Sequence, residues 1–150
     1  MHIQDMMSAP VTTCAQDDTL HTAARLMWEN DCGAVPVINQ NGQLIGIITD
    51  RDICMATYTM GRAPQEIMVS EVMAKQVVSS HVDKSIDSVE RLMSDHQIRR
   101  VPIVNKENHP VGMLSLNDLT RHAASHKKNG ADREIIHTMA AIGQPRAQTA

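Results

Sequence analysis

The chain has 150 residues, the length of one ordinary domain, and its 42% hydrophobic and 21% charged content is that of a globular protein rather than a disordered or fibrous one. It carries one Trp (Trp28), one Tyr (Tyr58), no Phe and eleven Met, with a formal charge of −3 from 14 Lys and Arg against 17 Asp and Glu. With almost no rings for stacking bases and no basic excess for releasing counterions, the composition disfavours nucleic acid as a partner.

No run of 18 apolar residues is present, so no membrane-spanning helix is expected. Asp5 stands in the opening segment where a signal peptide carries Lys or Arg, and no apolar stretch of the required length follows. A cytoplasmic location is the expectation. Cys14, Cys32 and Cys54 are odd in number and form no Cys-x-x-Cys pair, which suits reduced thiols better than a disulfide framework.

In chain order, Val11 to Thr13 is a short β-branched strand, and Asp17-Asp18-Thr19 caps a helix whose apolar positions are Leu20, Ala23, Ala24, Met27 and Trp28. Asn30 to Gly33 stops that helix. Ala34 to Ile38 is an apolar strand, Asn39 to Gly42 carries the Asn-Gly hairpin signal, Leu44 to Ile48 returns, and a second helix starts near Asp50. Gly61 and Pro64 mark a break within a link at 61–70. The same order follows again: a strand from Val77 to Ser79, a helix from Ser85 to about His96, a strand from Arg100 to Val104, a turn, a strand from Val111 to Leu114 and a helix from about Leu116. Pro110 replaces Leu44 at the start of the last strand, a place that requires its missing N–H to face away from a ladder. Beyond Lys127 a polar stretch leads to a short helical pattern (Ile135, Ile136, Met139, Ala140), and the last eight residues are expected to be disordered.

The second passage is a copy of the first at a fixed offset of 66 residues, with no gap. Met7 falls on Met73, Arg25-Leu26-Met27 on Arg91-Leu92-Met93, Val35-Pro36 on Val101-Pro102, Gly46 on Gly112 and Asp52 on Asp118. The expected fold class is α+β: two β-α-β-β-α repeats packed around a pseudo-twofold axis. The boundaries are 1–60 for the first motif, 61–70 for the link, 71–126 for the second motif and 127–150 for the tail.

In both copies the chemistry concentrates where the third strand meets its helix. Gly46 to Asp52 and Gly112 to Asp118 share a Gly, two apolar residues, a hydroxyl, two variable residues and an Asp. Locally this is the outline of a capping box, with Thr49 or Ser115 as N-cap and Asp52 or Asp118 in the first turn. With a ligand, the same geometry offers N–H groups and a hydroxyl to a phosphate, and a carboxylate to the vicinal diol of a ribose. A nucleotide is the simplest molecule that carries both groups, and its base would lie against aliphatic strands.

The opening Asp5-Met6-Met7, the strands Gly33 to Val37 and Arg99 to Ile103, and the two Gly-to-Asp endings resemble a tandem pair of cystathionine-β-synthase (CBS) domains, the Bateman module. The resemblance covers residues 3–124 and implies a regulatory fold whose two motifs leave clefts for adenosyl ligands such as AMP, ADP, ATP, S-adenosylmethionine or NAD(H). It places Thr49 and Ser115 near phosphate or ribose, Asp52 and Asp118 on the ribose hydroxyls, and Thr13 and Ser79 beside the base. Arg99 and Arg100 would supply phosphate charge in the second copy; the aligned residues of the first are Gly33 and Ala34, so the cleft near Arg100 is the expected polyphosphate site. Gln97 follows His96 where some members carry a basic residue, which weakens the grip on a triphosphate.

Cys14 and Cys32 flank the first helix, either as a redox-sensitive pair or as small buried hydrophobes. His122 and His126 share i, i+4 spacing but have no third ligand nearby, so no metal is expected. Met27, Met93 and Met113 read as core filler. With no nucleophile-base pair, Walker loop or catalytic carboxylate pair, the expectation is a non-enzymatic module. It would require no cofactor, would take an adenosyl ligand as effector, and would be a homodimer through its exposed helix pairs that acts on a protein partner or on its own assembly. The alternative from another class is a structural or stress-associated interaction module with no physiological ligand.

Overall fold

The computed structural model describes residues 2–125 and 130–142, without the side chains of residues 123–125, 131, 132, 137 and 140. His126 and the last eight residues, for which a metal pair and disorder were considered above, lie outside the described residues.

The first repeat runs β1 (Cys14–Ala15), α1 (Leu20–Glu29), β2 (Ala34–Ile38), β3 (Leu44–Thr49) and α2 (Asp50–Met60), followed by the one-turn α3 (Val69–Val72). The second runs β4 (Ser80–His81), α4 (Ile86–His96), β5 (Arg100–Val104), β6 (Pro110–Ser115) and α5 (Leu116–Ser125), followed by α6 (Ala131–Ile142). Each repeat builds a three-stranded sheet with its middle-numbered strand in the centre, in the orders β1-β2-β3 and β4-β5-β6. The fold is therefore α+β. β1 lies parallel to β2 and β3 antiparallel to it, and the helices follow where caps permit. Thr19 accepts from Thr22 N at 3.2 Å to start α1, and Ser85 accepts from Ser88 N at 3.3 Å to start α4. In the β2–β3 hairpin, Asn39 Oδ1 accepts from both Asn41 N and Gln43 N at 2.9 Å while Gly42 takes φ +77°, which a side chain would resist.

Two details correct the sequence reading, and a third agrees with it in a strand that starts one residue earlier. The first strand of each repeat is paired two to three residues later than its β-branched residues suggest: Cys14 and Ala15 face Val37 and Ile38, and Ser80 and His81 face Ile103 and Val104. Propensity marks residues that tolerate extension, whereas pairing is decided by which of them reaches the central strand. Trp28 is 88% exposed rather than inward. Leu20, Ala23 and Met27 already define the buried stripe of α1, and at 100° per residue position 28 falls off its edge. Pro110 begins β6 itself, at the first position of an edge strand, where no ladder N–H is needed.

The chain divides into two units that cut across the sequence repeats. One contains Val11–Val77 with Lys106–Pro110, and the other Met1–Pro10 with Val78–Asn105 and Val111–Ala150. In the first, Leu20, Val35, Val37 and Ile48 are fully buried together with Ile67 and Val69, which come from beyond the helix α2. In the second, Ile3 and Met6 from the amino-terminal segment join Val89, Met93, Val101, Ile103, Leu114 and Leu119.

In each unit a segment outside the three strands also closes the outer edge of the sheet. Ala74 exchanges backbone bonds with Ile47 of β3 at 2.9 and 3.1 Å, and Ser8 does the same with Met113 of β6 at 2.9 and 3.0 Å. An edge strand paired in this way offers no ladder to another chain at that point. Beside each bridge a methionine lies on a glycine: an added Cβ would come 2.6 Å from Met73 Sδ at Gly46 and closer still to Met7 Sδ at Gly112.

Candidate functional site

Thr49 ends β3 and is the N-cap of α2, so the backbone itself delivers its hydroxyl to the helix start. The Thr49 Oγ1 accepts from Asp52 N at 3.1 Å, and Thr49 N donates to Asp52 Oδ2 at 2.9 Å. Ser115 and Asp118 repeat the box at the start of α5: Asp118 N donates to Ser115 Oγ at 3.2 Å, and Ser115 N to Asp118 Oδ2 at 2.8 Å. The capping role that the pattern predicts locally is thus filled in both repeats.

The two carboxylates then diverge. Asp52 is half-buried and uses one oxygen on the cap; its Oδ1 meets no hydrogen-bond donor among the described residues. Asp118 is 4% exposed and committed through both oxygens. Its Oδ2 also accepts from Ser115 Oγ at 2.6 Å, and its Oδ1 accepts from Ser8 Oγ at 3.2 Å and from the guanidinium of Arg121. At the repeat offset Ser8 corresponds to Ala74 and Arg121 to Met55, neither of which can donate from its side chain. Ser8 and Arg121 escaped the sequence reading, yet the signal was present as these two mismatches in a gapless alignment.

The remaining candidates are spread more widely. Arg99 is exposed, but its carbonyl accepts from Leu116 N at 2.9 Å, which sets it against the start of α5; Gly33 does the same for Asp50 N at 3.0 Å. Arg100 opens β5 and is half-buried. Thr13 and Ser79 precede β1 and β4, half-buried, with no hydrogen bond to the capping residues among the described residues. Cys14 is buried in the first core, and desolvation, with Asp18 adding to it, pushes its thiol up to about 12. None of Cys14, Cys32 and Cys54 is in a disulfide.

Among the described residues no three His, Cys, Asp or Glu side chains are placed to hold a metal ion, and no helix is long and apolar enough to cross a membrane. Glu90 is another residue the sequence reading passed over. It is a carboxylate only 8% exposed on α4, where the first repeat has Ala24 on α1.

Comparison with known proteins accounts for the doubled arrangement. The CBS domain profile matches residues 3–58 and again 69–125. The chain is 40% identical to the CBS domain-containing protein YhcV of Bacillus subtilis over 129 residues, 86% of this chain and 90% of that one. It is 32% identical to hypoxic response protein 1 of Mycobacterium tuberculosis over 144 residues, 96% and 95% of the two chains. Among solved structures, hypoxic response protein I with two coordinated zinc ions matches at TM-score 0.73 and 32% identity, covering 81% of this chain and 98% of that one. The CBS domain pair of protein MJ0100, in complex with 5'-methylthioadenosine and S-adenosyl-L-methionine, matches at TM-score 0.75 and 26% identity, covering 83% and 97%. Two matched profiles, two sheets and two hydroxyl-Asp helix starts agree: the chain belongs to the CBS domain family, as a tandem pair of CBS domains.

Proposed function

We propose that this CBS pair is a non-enzymatic regulatory module that binds an adenosyl ligand at the start of α2 and, on different terms, at the start of α5. The observation that carries the reading is the free Oδ1 of Asp52, an acceptor held in place by a cap and left open for a ribose hydroxyl. The MJ0100 pair, bound to S-adenosyl-L-methionine and 5'-methylthioadenosine, supports the ligand class.

In this reading Thr49 and Asp52 hold ribose and its first substituent, and Thr13 lies towards the base. No Arg stands at Gly33 or Ala34, so this site favours an adenosyl group without a polyphosphate. At the second site Arg99 and Arg100 favour AMP, ADP, ATP or NAD(H), with Ser79 towards the base and Ser115 near the phosphate. There a ribose must compete with Ser8 and Arg121 for Asp118. A ligand shifts the module between states only by its difference in affinity for them, and that difference is the regulatory signal.

The same reading makes the protein a homodimer through α1 and α2. In one unit the face of α4 and α5 is packed by α6 of the same chain. In the other, α1 and α2 pack together and carry the chain's two aromatic residues, Trp28 and Tyr58, 88% and 82% exposed. Large exposed rings on a helix pair match the anchors of protein interfaces, and a second copy supplies a self-complementary partner.

Thermal unfolding with S-adenosylmethionine, AMP, ATP and NADH tests the ligand, because a compound selective for the native state adds about 2.7 kcal/mol at a hundredfold excess over its dissociation constant. S-adenosylmethionine should stabilise wild type and lose its effect in Asp52→Asn. No shift with any adenosyl compound would sink the proposal. For the dimer, light scattering of Trp28→Ser with Tyr58→Ala, the residues found at 94 and 124 of the second repeat, should report a monomer; an unchanged mass removes that face as the interface.

A further inference from the structure

Within the unit that contains the second repeat, a cavity of about 270 Å³ opens among α4, α5, α6 and the amino-terminal segment. Its titratable lining is Asp87 and Glu90 from α4, Glu134 from α6 and His122 from α5, with no Lys or Arg among the described lining residues. The amino-terminal segment contributes Met6, which with Ile86 and Ile135 makes apolar wall.

Glu90 has no hydrogen bond or ion pair among the described residues, although little of it reaches solvent. A buried carboxylate without a partner is costly, and native proteins keep few of them. Burial first, then the charges of Asp87 and Glu134, push its carboxyl above the ordinary value of 4.5. The charged groups that shift it, Asp87 and Glu134, are both acids. The sequence need not have created this cost: the first repeat places Ala24 at the same helical position.

We infer that this cavity is a binding site for an aliphatic diamine or polyamine, whose ammonium groups pair with Glu90 and its acidic neighbours while its methylenes lie on Met6, Ile86 and Ile135. A single metal ion is a poor fit, because no three ligating side chains converge among the described residues. The space is several times the roughly 30 Å³ that a water occupies in the liquid, enough for a short alkyl chain. Asp87 and Glu90 lie one turn apart on α4 and Glu134 reaches in from α6, so the negative charge is spread along the cavity as the charges of a diamine are. A bound diamine would also fasten α6 to α4, which makes the docking of that helix dependent on the ligand.

The site is independent of the adenosyl site proposed above, and titration calorimetry on the full chain with 1,4-diaminobutane at mildly alkaline pH tests it alone. Wild type should show saturable binding, weakened about tenfold or more in both Glu90→Gln and Glu134→Gln, since a charge-assisted hydrogen bond is lost in each. Asp52→Asn should bind the diamine as wild type does. Neutral 1,4-butanediol and magnesium chloride at equal ionic strength should give no saturable heat. Absence of saturable diamine binding, wild-type affinity in either Glu variant, or tighter binding of magnesium than of the diamine would each overturn the inference.

Discussion

Ser8 donates its hydroxyl to Asp118 Oδ1 at 3.2 Å, while the residue in the equivalent bridge of the first sheet is Ala74, which has no hydroxyl to donate. One hydroxyl, together with Arg121, turns one of two equivalent carboxylates into a closed structural group and leaves the other open. Asp118→Asn should therefore cost more than Asp52→Asn. The first removes bonds to Ser8 and Ser115 at a buried site, worth about 1–3 kcal/mol, and the second weakens a cap worth about 1 kcal/mol. The exposed Arg121 adds little to either figure. Urea unfolding of the two variants measures the difference, and equal losses would show that Ser8 contributes nothing to stability.

Gly46 and Gly112 should differ in their tolerance of a methyl group. At Gly112 every close neighbour of an added Cβ is the flexible side chain of Met7, but at Gly46 the backbone carbonyl of Ala74 also lies 3.1 Å away. Gly46→Ala is expected to cost about 1–3 kcal/mol as an overpacking change, and Gly112→Ala less. Adding Met7→Ala should recover most of the Gly112→Ala loss, and adding Met73→Ala only part of the Gly46→Ala loss. A double-mutant cycle by thermal unfolding reads both.

Stability should fall as pH rises through the region above 4.5. The folded protein holds the proton on Glu90 more tightly than the unfolded chain, so the native state binds more protons there and its advantage is complete below the unfolded value. That advantage is lost as pH rises through the folded value, with Asp87, Glu134 and His122 the other titratable groups at the cavity. Glu90→Gln should flatten this part of the profile. A profile identical to wild type would show that Glu90 is not held in its neutral form.

Thiol labelling should separate the three cysteines. Cys54 is exposed on α2 and should react first in the native protein at pH 8, with half-buried Cys32 slower. Cys14, buried and with its thiol at about 12, presents almost no thiolate and should react only in denaturant. Fast native labelling of Cys14 would show that the first core opens readily.

The helices were legible because Thr19, Thr49 and Ser85 are capping residues set before apolar stripes, and local chemistry of that kind acts within one turn. The hydroxyl-Asp pairs could be read for the same reason, since each box closes over three residues. Trp28 was misplaced because its spacing fits a helix but lies at the edge of the stripe, where only the neighbouring elements decide burial. Glu90 was passed over because α6, far along the chain, is what helps bury it.

By itself the sequence determined the repeat, the order of strands and helices, and two helix starts with the same pair of side chains, all products of short-range patterns. Tertiary structure decided that the two starts are unequal. Ser8 stands 110 residues from Asp118 and Ala74 stands across a sheet edge from Ile47, and only the path of the folded chain brings a hydroxyl to Asp118 and sets an alanine in the equivalent bridge of the first sheet.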